Sequence, residues 1–136
     1  MKISLDIGAR MPTRAYPTDA GLDLYARETQ VVPAGGSAKF DTGVHIQLPP
    51  NTAGLLMSKS GLNVKHGLTS EGVIDVNYSG SIVVKLYNNS KQNYRVNAGD
   101  KISQLLIVPI ITPILALVDE IEEHGRGVNG FGSSGK

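Results

Sequence analysis

The chain has no cysteine and no tryptophan, and only two of its 136 residues are phenylalanine. Without cysteine there can be no disulfide and no thiolate metal ligand, and the composition suits a reducing compartment. With so few large rings, a core must be aliphatic, which the 40% hydrophobic content allows. No block of one charge occurs either: 13 Lys and Arg stand against 12 Asp and Glu, a net charge of +1. That balance excludes a protein whose main task is neutralising a nucleic-acid backbone. The longest apolar stretch, residues 105–118, contains Pro109, Thr112 and Pro113. It is too short and too broken to span a bilayer. The opening residues, Met1 to Asp6, carry no signal-peptide apolar region. These absences predict a cytoplasmic protein with neither membrane nor nucleic-acid partner. The length predicts one domain able to bury a real core.

What is present is turn chemistry. The 16 glycines and 7 prolines punctuate the chain at intervals of roughly eight to twelve residues, the spacing of an all-β sandwich or barrel. Between them lie short runs rich in Val, Ile and Leu. Residues 42–48 alternate, and residues 81–87 place Ile82, Val84 and Leu86 on one face with Val83, Lys85 and Tyr87 opposite. Residues 101–111 read as a long strand and residues 114–118 as another beyond Pro113. The single helix candidate is residues 60–66, with Ser60 as N-cap and Gly67 as stop. No repeat or low-complexity block precedes the last eleven residues.

Those eleven, residues 126–136, hold two basic ends, one phenylalanine, two serines and four glycines. Their composition alone describes a flexible tail. It also describes a ligand clasp, since successive backbone N–H groups can nest an anion, Arg126 can fork onto phosphate and Phe131 can stack on a base. Other segments carry similar ambiguity. Asp75 sits in an aliphatic run, either as a solvent-facing strand residue or as a carboxylate poised as a base. Asn77 to Gly80 read as a turn, which puts Asp75 and Tyr78 on one hairpin. Lys59, Ser60 and Gly61 bring a cation, a hydroxyl and free N–H groups to a helix start, which suits phosphate but also suits an ordinary cap. Asp23 lies in a short strand after Gly21. Gln104 follows a turn at Gly99 and Asp100 as an inward polar candidate. His45, His66 and His124 have no metal-ligand spacing, and no nucleophile elbow supports a serine hydrolase.

Taken in order, five segments resemble the five motifs of the homotrimeric dUTPase family. They are Ala20-Gly21-Leu22-Asp23-Leu24; Lys59-Ser60-Gly61; Gly72-Val73-Ile74-Asp75 through Tyr78 and Gly80; Gly99-Asp100-Lys101-Ile102-Ser103-Gln104-Leu105; and the glycine-rich tail from Arg126. The resemblance spans residues 20–135, nearly the whole chain. It implies an all-β jelly roll of the β-clip type with one short helix, assembled as a homotrimer. A β-rich core of residues 1–119 would be followed by a mobile C-terminal arm, residues 120–136, closing over a neighbouring active site.

The resemblance also implies a reaction, hydrolysis of dUTP to dUMP and pyrophosphate, which keeps uracil out of DNA and supplies dUMP for dTMP synthesis. By carry-over, Asp75 orients and deprotonates the attacking water. Tyr78 packs on the deoxyribose and excludes a 2′-hydroxyl, while Val73, Ile74, Thr69 and Val83 border the nucleoside. Ser60, Gly61 and Gln104 hold the α- and β-phosphates, with Lys59 beside them. Arg126 and Ser133 hold the γ-phosphate, and Phe131, flanked by Gly130 and Gly132, stacks over uracil. Mg2+ would bind phosphate oxygens and water, with Asp23 reaching it through water. This follows phosphoryl-transfer logic, in which positioning and charge neutralisation dominate.

Four residues depart from the family pattern: Lys59 for Arg, Thr69 for Asn, Asn77 for Asp and Ser79 for Arg. Each is expected to tune the site. A dCTP deaminase, on a related fold, would need a general-acid/base carboxylate after the hairpin, and residues 81–90 contain none. A regulatory protein or a structural jelly-roll trimer would not need Asp75, Tyr78 and Phe131 together.

Overall fold

A computed structural model describes residues 1–122 and Gly125. The arm residues singled out above, Arg126, Gly130, Phe131, Gly132 and Ser133, lie outside the described residues. The elements run β1 (Lys2–Leu5), β2 (Leu22–Tyr25), β3 (Gln30–Val32), β4 (Ser37–Asp41), β5 (Val44–Gln47), β6 (Thr52–Met57), α1 (Ser60–His66), β7 (Leu68–Thr69), β8 (Glu71–Ile74), β9 (Val83–Asn88), β10 (Tyr94–Val96) and β11 (Lys101–Pro109). The all-β expectation is borne out, with α1 as the single helix among the described residues. None of these helical residues forms a span long and apolar enough to cross a membrane.

Four antiparallel sheets result: β2-β11-β6-β8, β4-β9-β7, β1-β5 and β10-β3. Alternation in the sequence sets which faces meet. On β9, Val84 and Leu86 are buried, and Val83 is exposed. They join Leu24, Val32, Phe40, Ile82, Ile102 and Leu105 in one core. The core is aliphatic as composition required, with Phe40 its one fully buried aromatic ring.

Three expectations need correction. Residues 114–118 form no strand. Ile114, Leu115 and Leu117 are almost wholly exposed, because no strand of the described residues pairs with them. Their apolar pattern therefore has no inward face within one chain. At the helix, Lys59 and not Ser60 is the N-cap. The Asn63 N–H donates to the Lys59 carbonyl at 2.9 Å, so the first turn closes one residue earlier than the serine suggested. Gly67 does stop the helix, in the left-handed conformation at φ 66°.

The segment read as a hairpin is a crossover. β8 pairs with β6, whereas β9 pairs with β4 and β7. Ile82 is drawn away from β8 because its N–H donates to Val44 and its carbonyl accepts from Thr42. The connecting loop thus bridges two sheets, and its tight turn falls at residues 75–78, closed by Tyr78 N–H donating to the Asp75 carbonyl at 3.0 Å.

Candidate functional site

Most of the candidate site residues that the structure describes fall into two groups, each lining its own cavity. The first cavity, about 240 Å³, has Val73, Ile74, Asp75, Tyr78 and Val83 in its wall. β8 delivers Val73 and Ile74, the turn delivers Asp75 and Tyr78, and β9 delivers Val83 from the other sheet. Ile74 is buried, whereas Val73, Val83 and Tyr78 expose about half or more of their surface. Asp75 is exposed in the single chain, so no dry pocket forms around it here. Tyr78 is fixed at its far end, its hydroxyl donating to the Ser81 carbonyl at 2.9 Å. Leu56 and Lys85 complete this wall and were not singled out by sequence. Thr69 stands apart on β7, where its hydroxyl accepts from the Asn89 amide at 3.4 Å.

The second cavity, about 380 Å³, collects Gly21, Asp23, Ser58, Lys59 and Gln104. Adjacent strands cause this. On β11, Gln104 lies opposite Asp23 of β2 and Met57 of β6. Its side-chain amide donates to the Ser58 carbonyl at 3.0 Å. Gly21 makes room for it, because a Cβ there would fall 2.5 Å from Gln104 Oε1. Ser60 and Gly61 follow directly in the first turn of α1. Ser58 was missed by sequence reasoning, although it supports two partners: its carbonyl holds Gln104, and its hydroxyl donates to the Ser70 carbonyl at 3.1 Å.

Asp23 dominates the electrostatics. Its side chain is almost fully buried, and Lys59 bonds one carboxylate oxygen while Lys101 bonds the other at 2.7 Å. Burial pushes its carboxyl up, but the bonds from Lys101 and Lys59 outweigh that and hold it below the usual carboxylate range. In turn the Asp23 bond holds the Lys101 ammonium above its ordinary value. Lys101 was read from sequence only as the start of a strand within the fourth motif, and its pairing crosses 78 positions (Lys101 minus Asp23) that no local pattern reveals.

The donor set answers the metal question in part. Among the described residues no group of three or more His, Cys, Asp or Glu could hold a metal ion. The described residues therefore offer no cage of their own. One carboxylate at the cavity edge suits a cation that arrives on phosphate oxygens, and a water-mediated approach to Asp23 competes with Lys59 and Lys101.

Comparisons of the sequence and of the fold with known proteins agree with one another. The family model described as dUTPase matches residues 8–135. The deoxyuridine 5'-triphosphate nucleotidohydrolase of Yarrowia lipolytica is 40% identical over 96% of this chain and 85% of its own. That of Clostridium acetobutylicum is 39% identical over 96% and 92%. Among solved structures, the dUTPase of Staphylococcus bacteriophage 80alpha with dUPNHPP superposes with a TM-score of 0.93 at 34% identity, covering 99% of this chain and 98% of that one. A mutant dUTPase from phage phi11 of S. aureus, described for its coordination of a structural Mg(II) ion, gives a TM-score of 0.82 at 33% identity over 90% and 98%.

Proposed function

Because the chain belongs to the dUTPase family, we infer that it hydrolyses dUTP to dUMP and pyrophosphate. The observation that supports this best is the pair of cavities. One is an apolar slot with a carboxylate and a tyrosine at its mouth, sized for a nucleoside. The other is a polar recess with Lys59, Gln104 and the start of α1, suited to phosphates.

In this reading Asp75 accepts a proton from water as the water oxygen bonds to the α-phosphorus. The bond from that phosphorus to the α,β-bridging oxygen breaks, and pyrophosphate leaves. Tyr78, held through Ser81, packs against the deoxyribose where a 2′-hydroxyl would collide. Backbone of β8 and of residues 75–83 reads the uracil edge, with Val73, Ile74 and Val83 walling the base and Thr69 beyond them. Gln104, Ser60 and Gly61 position the α- and β-phosphates, and Lys59 supplies positive charge beside them. Arg126, Ser133, and Phe131 between Gly130 and Gly132 close the γ-phosphate and base from an arm formed by residues 120–136, following the core of residues 1–119. Mg2+, where bound, would supply charge neutralisation at the phosphates, with Asp23 reaching it through water.

The two cavities share no lining residue on one chain, which favours a homotrimer whose sites are shared between subunits. The exposed apolar side chains of residues 110–121 supply surface for such an assembly. A cytoplasmic setting without nucleic-acid or membrane partners suits the cysteine-free composition and near-neutral charge.

Hydrolysis in oxygen-18 water tests the chemistry: the heavy oxygen should appear in dUMP. Its appearance in pyrophosphate would move the attack to the β-phosphorus and remove the assigned role of Asp75.

A further inference from the structure

His45 stands on β5 opposite Ser4 of β1. Its Nδ1 lies 2.9 Å from the Ser79 carbonyl oxygen, and its Nε2 lies 3.2 Å from Oδ1 of Asp6. A carbonyl and a carboxylate only accept. A neutral imidazole has one N–H, so either tautomer would turn a lone pair toward one of these acceptors. The imidazolium donates to both.

The contact reaches the substrate loop through a charged network. Arg27 bonds the other Asp6 oxygen at 3.2 Å and Asp41 at 3.0 Å. Asp41 accepts from the Ser81 hydroxyl and, at 3.0 Å, from the Gly43 N–H. The loop that carries Asp75 and Tyr78 is therefore anchored at Ser79 and at Ser81 by one set of charges. A cavity of about 640 Å³, with Lys2, His45, Val76 and Tyr78 in its lining, runs along this side of the loop. Val76 packs this loop against the core, and the polar contacts at Ser79 and Ser81 anchor the stretch beyond it.

We propose that His45 is a positioning residue for the dUTPase site inferred above. As imidazolium it clamps the loop bearing Asp75 and Tyr78 to Asp6, and its deprotonation releases the clamp. The proposal rests on that functional reading for its consequence, while the clamp itself rests on geometry. The bond that His45 donates to the Ser79 carbonyl, helped by Asp6 and Asp41 and opposed by desolvation, holds His45 above its ordinary value. Charged and titratable groups on the elements packed around the ring are Lys2 of β1, Asp6, Arg27, Asp41 of β4, and Asp75 and Tyr78 of the loop. Of these, Asp6 and Asp41 favour the cation. A raised cation contributes fully below the unfolded value of about 6.5 and loses its contribution as pH climbs through the folded value.

The test compares wild type, His45→Asn and Asp6→Asn across pH about 6 to 9, a window bracketing histidine titration. Near the acid end, the KM for dUTP of His45→Asn should exceed wild type by about fivefold, with kcat within about twofold, the scale of one partly exposed charge-assisted bond. The two should converge at the alkaline end. Asp6→Asn lets a neutral His45 accept from the new amide, so its KM should lose the pH dependence seen in wild type. A KM ratio that stays constant with pH, or no change in KM, overturns the proposal. Two readouts need no nucleotide: imidazole nitrogen shifts of His45 and amide protection of residues 76–81. The ring should titrate above free histidine, and His45→Asn should weaken loop protection at the acid end. Failure to hydrolyse dUTP would sink the proposed function alone. A ring that titrates like free histidine, with unchanged loop protection in the variant, would sink the clamp.

Discussion

The Tyr78 hydroxyl occupies the space that a side chain on Gly80 would need: a Cβ there would fall 2.5 Å from the hydroxyl oxygen and 2.6 Å from Cζ. The same hydroxyl bonds Ser81, so the ring lies across its own loop and Gly80 lets it do so. Gly80→Ala should push the ring outward. Because Tyr78 is 47% exposed, the ring can move without unfolding the chain, and stability should change by less than about 1 kcal/mol. KM for dUTP should rise about tenfold, and preference over UTP should narrow, as expected when a positioned group is displaced by about an ångström. Steady-state kinetics on both nucleotides, beside a thermal melt, checks this.

Asp75→Asn should bind dUTP as wild type does and lose about 10²–10⁴ in turnover, the usual contribution of a positioned base. Asn keeps the shape of the side chain and removes its capacity to take a proton. Calorimetric binding with single-turnover kinetics separates the two effects. Unchanged turnover would remove Asp75 as the base.

Lys59→Met should destabilise the fold, because it leaves buried Asp23 with Lys101 as its remaining cation. The expected loss is about 1–3 kcal/mol at neutral pH. Its pH dependence has a definite sign. Asp23 is held below its usual value, so its stabilisation is present above the unfolded value of about 3.9 and disappears as pH falls through the folded one. The gap between wild type and Lys59→Met should therefore close below about pH 4. Denaturant unfolding at several pH values measures it, and a gap independent of pH would contradict the ion-pair account.

Local chemistry was legible in the sequence wherever one segment determines the outcome. Alternation on β9 placed Val84 and Leu86 inside, and Gly67 stopped the helix. The turn read at residues 77–80 was half right: the structure closes a turn between Asp75 and Tyr78, but the segment crosses between sheets and forms no hairpin. Long-range relations were hidden. Nothing near Asp23 announces Lys59 or Lys101, and His45 read as an ordinary strand residue because Asp6 and Ser79 reach it from distant positions. Residues 114–118 show the opposite failure. Their apolar, β-branched composition favours a strand, but a strand needs a neighbour, and the described chain provides none.

Deleting residues 126–136 should leave a folded protein with greatly reduced kcat/KM, since those residues are proposed to close the γ-phosphate and base. Oligomeric mass by light scattering and activity on dUTP are the two measurements. Loss of assembly on deletion would mean that the arm also holds the subunits together.

The most direct test of the central claim is pyrophosphate release with magnesium from dUTP, dCTP, dTTP and UTP side by side. The account predicts release from dUTP alone, since the slot at β8 and residues 75–83 is proposed to select the base and Tyr78 the sugar. Equal release from UTP, or ammonia release from dCTP in place of pyrophosphate from dUTP, would contradict it.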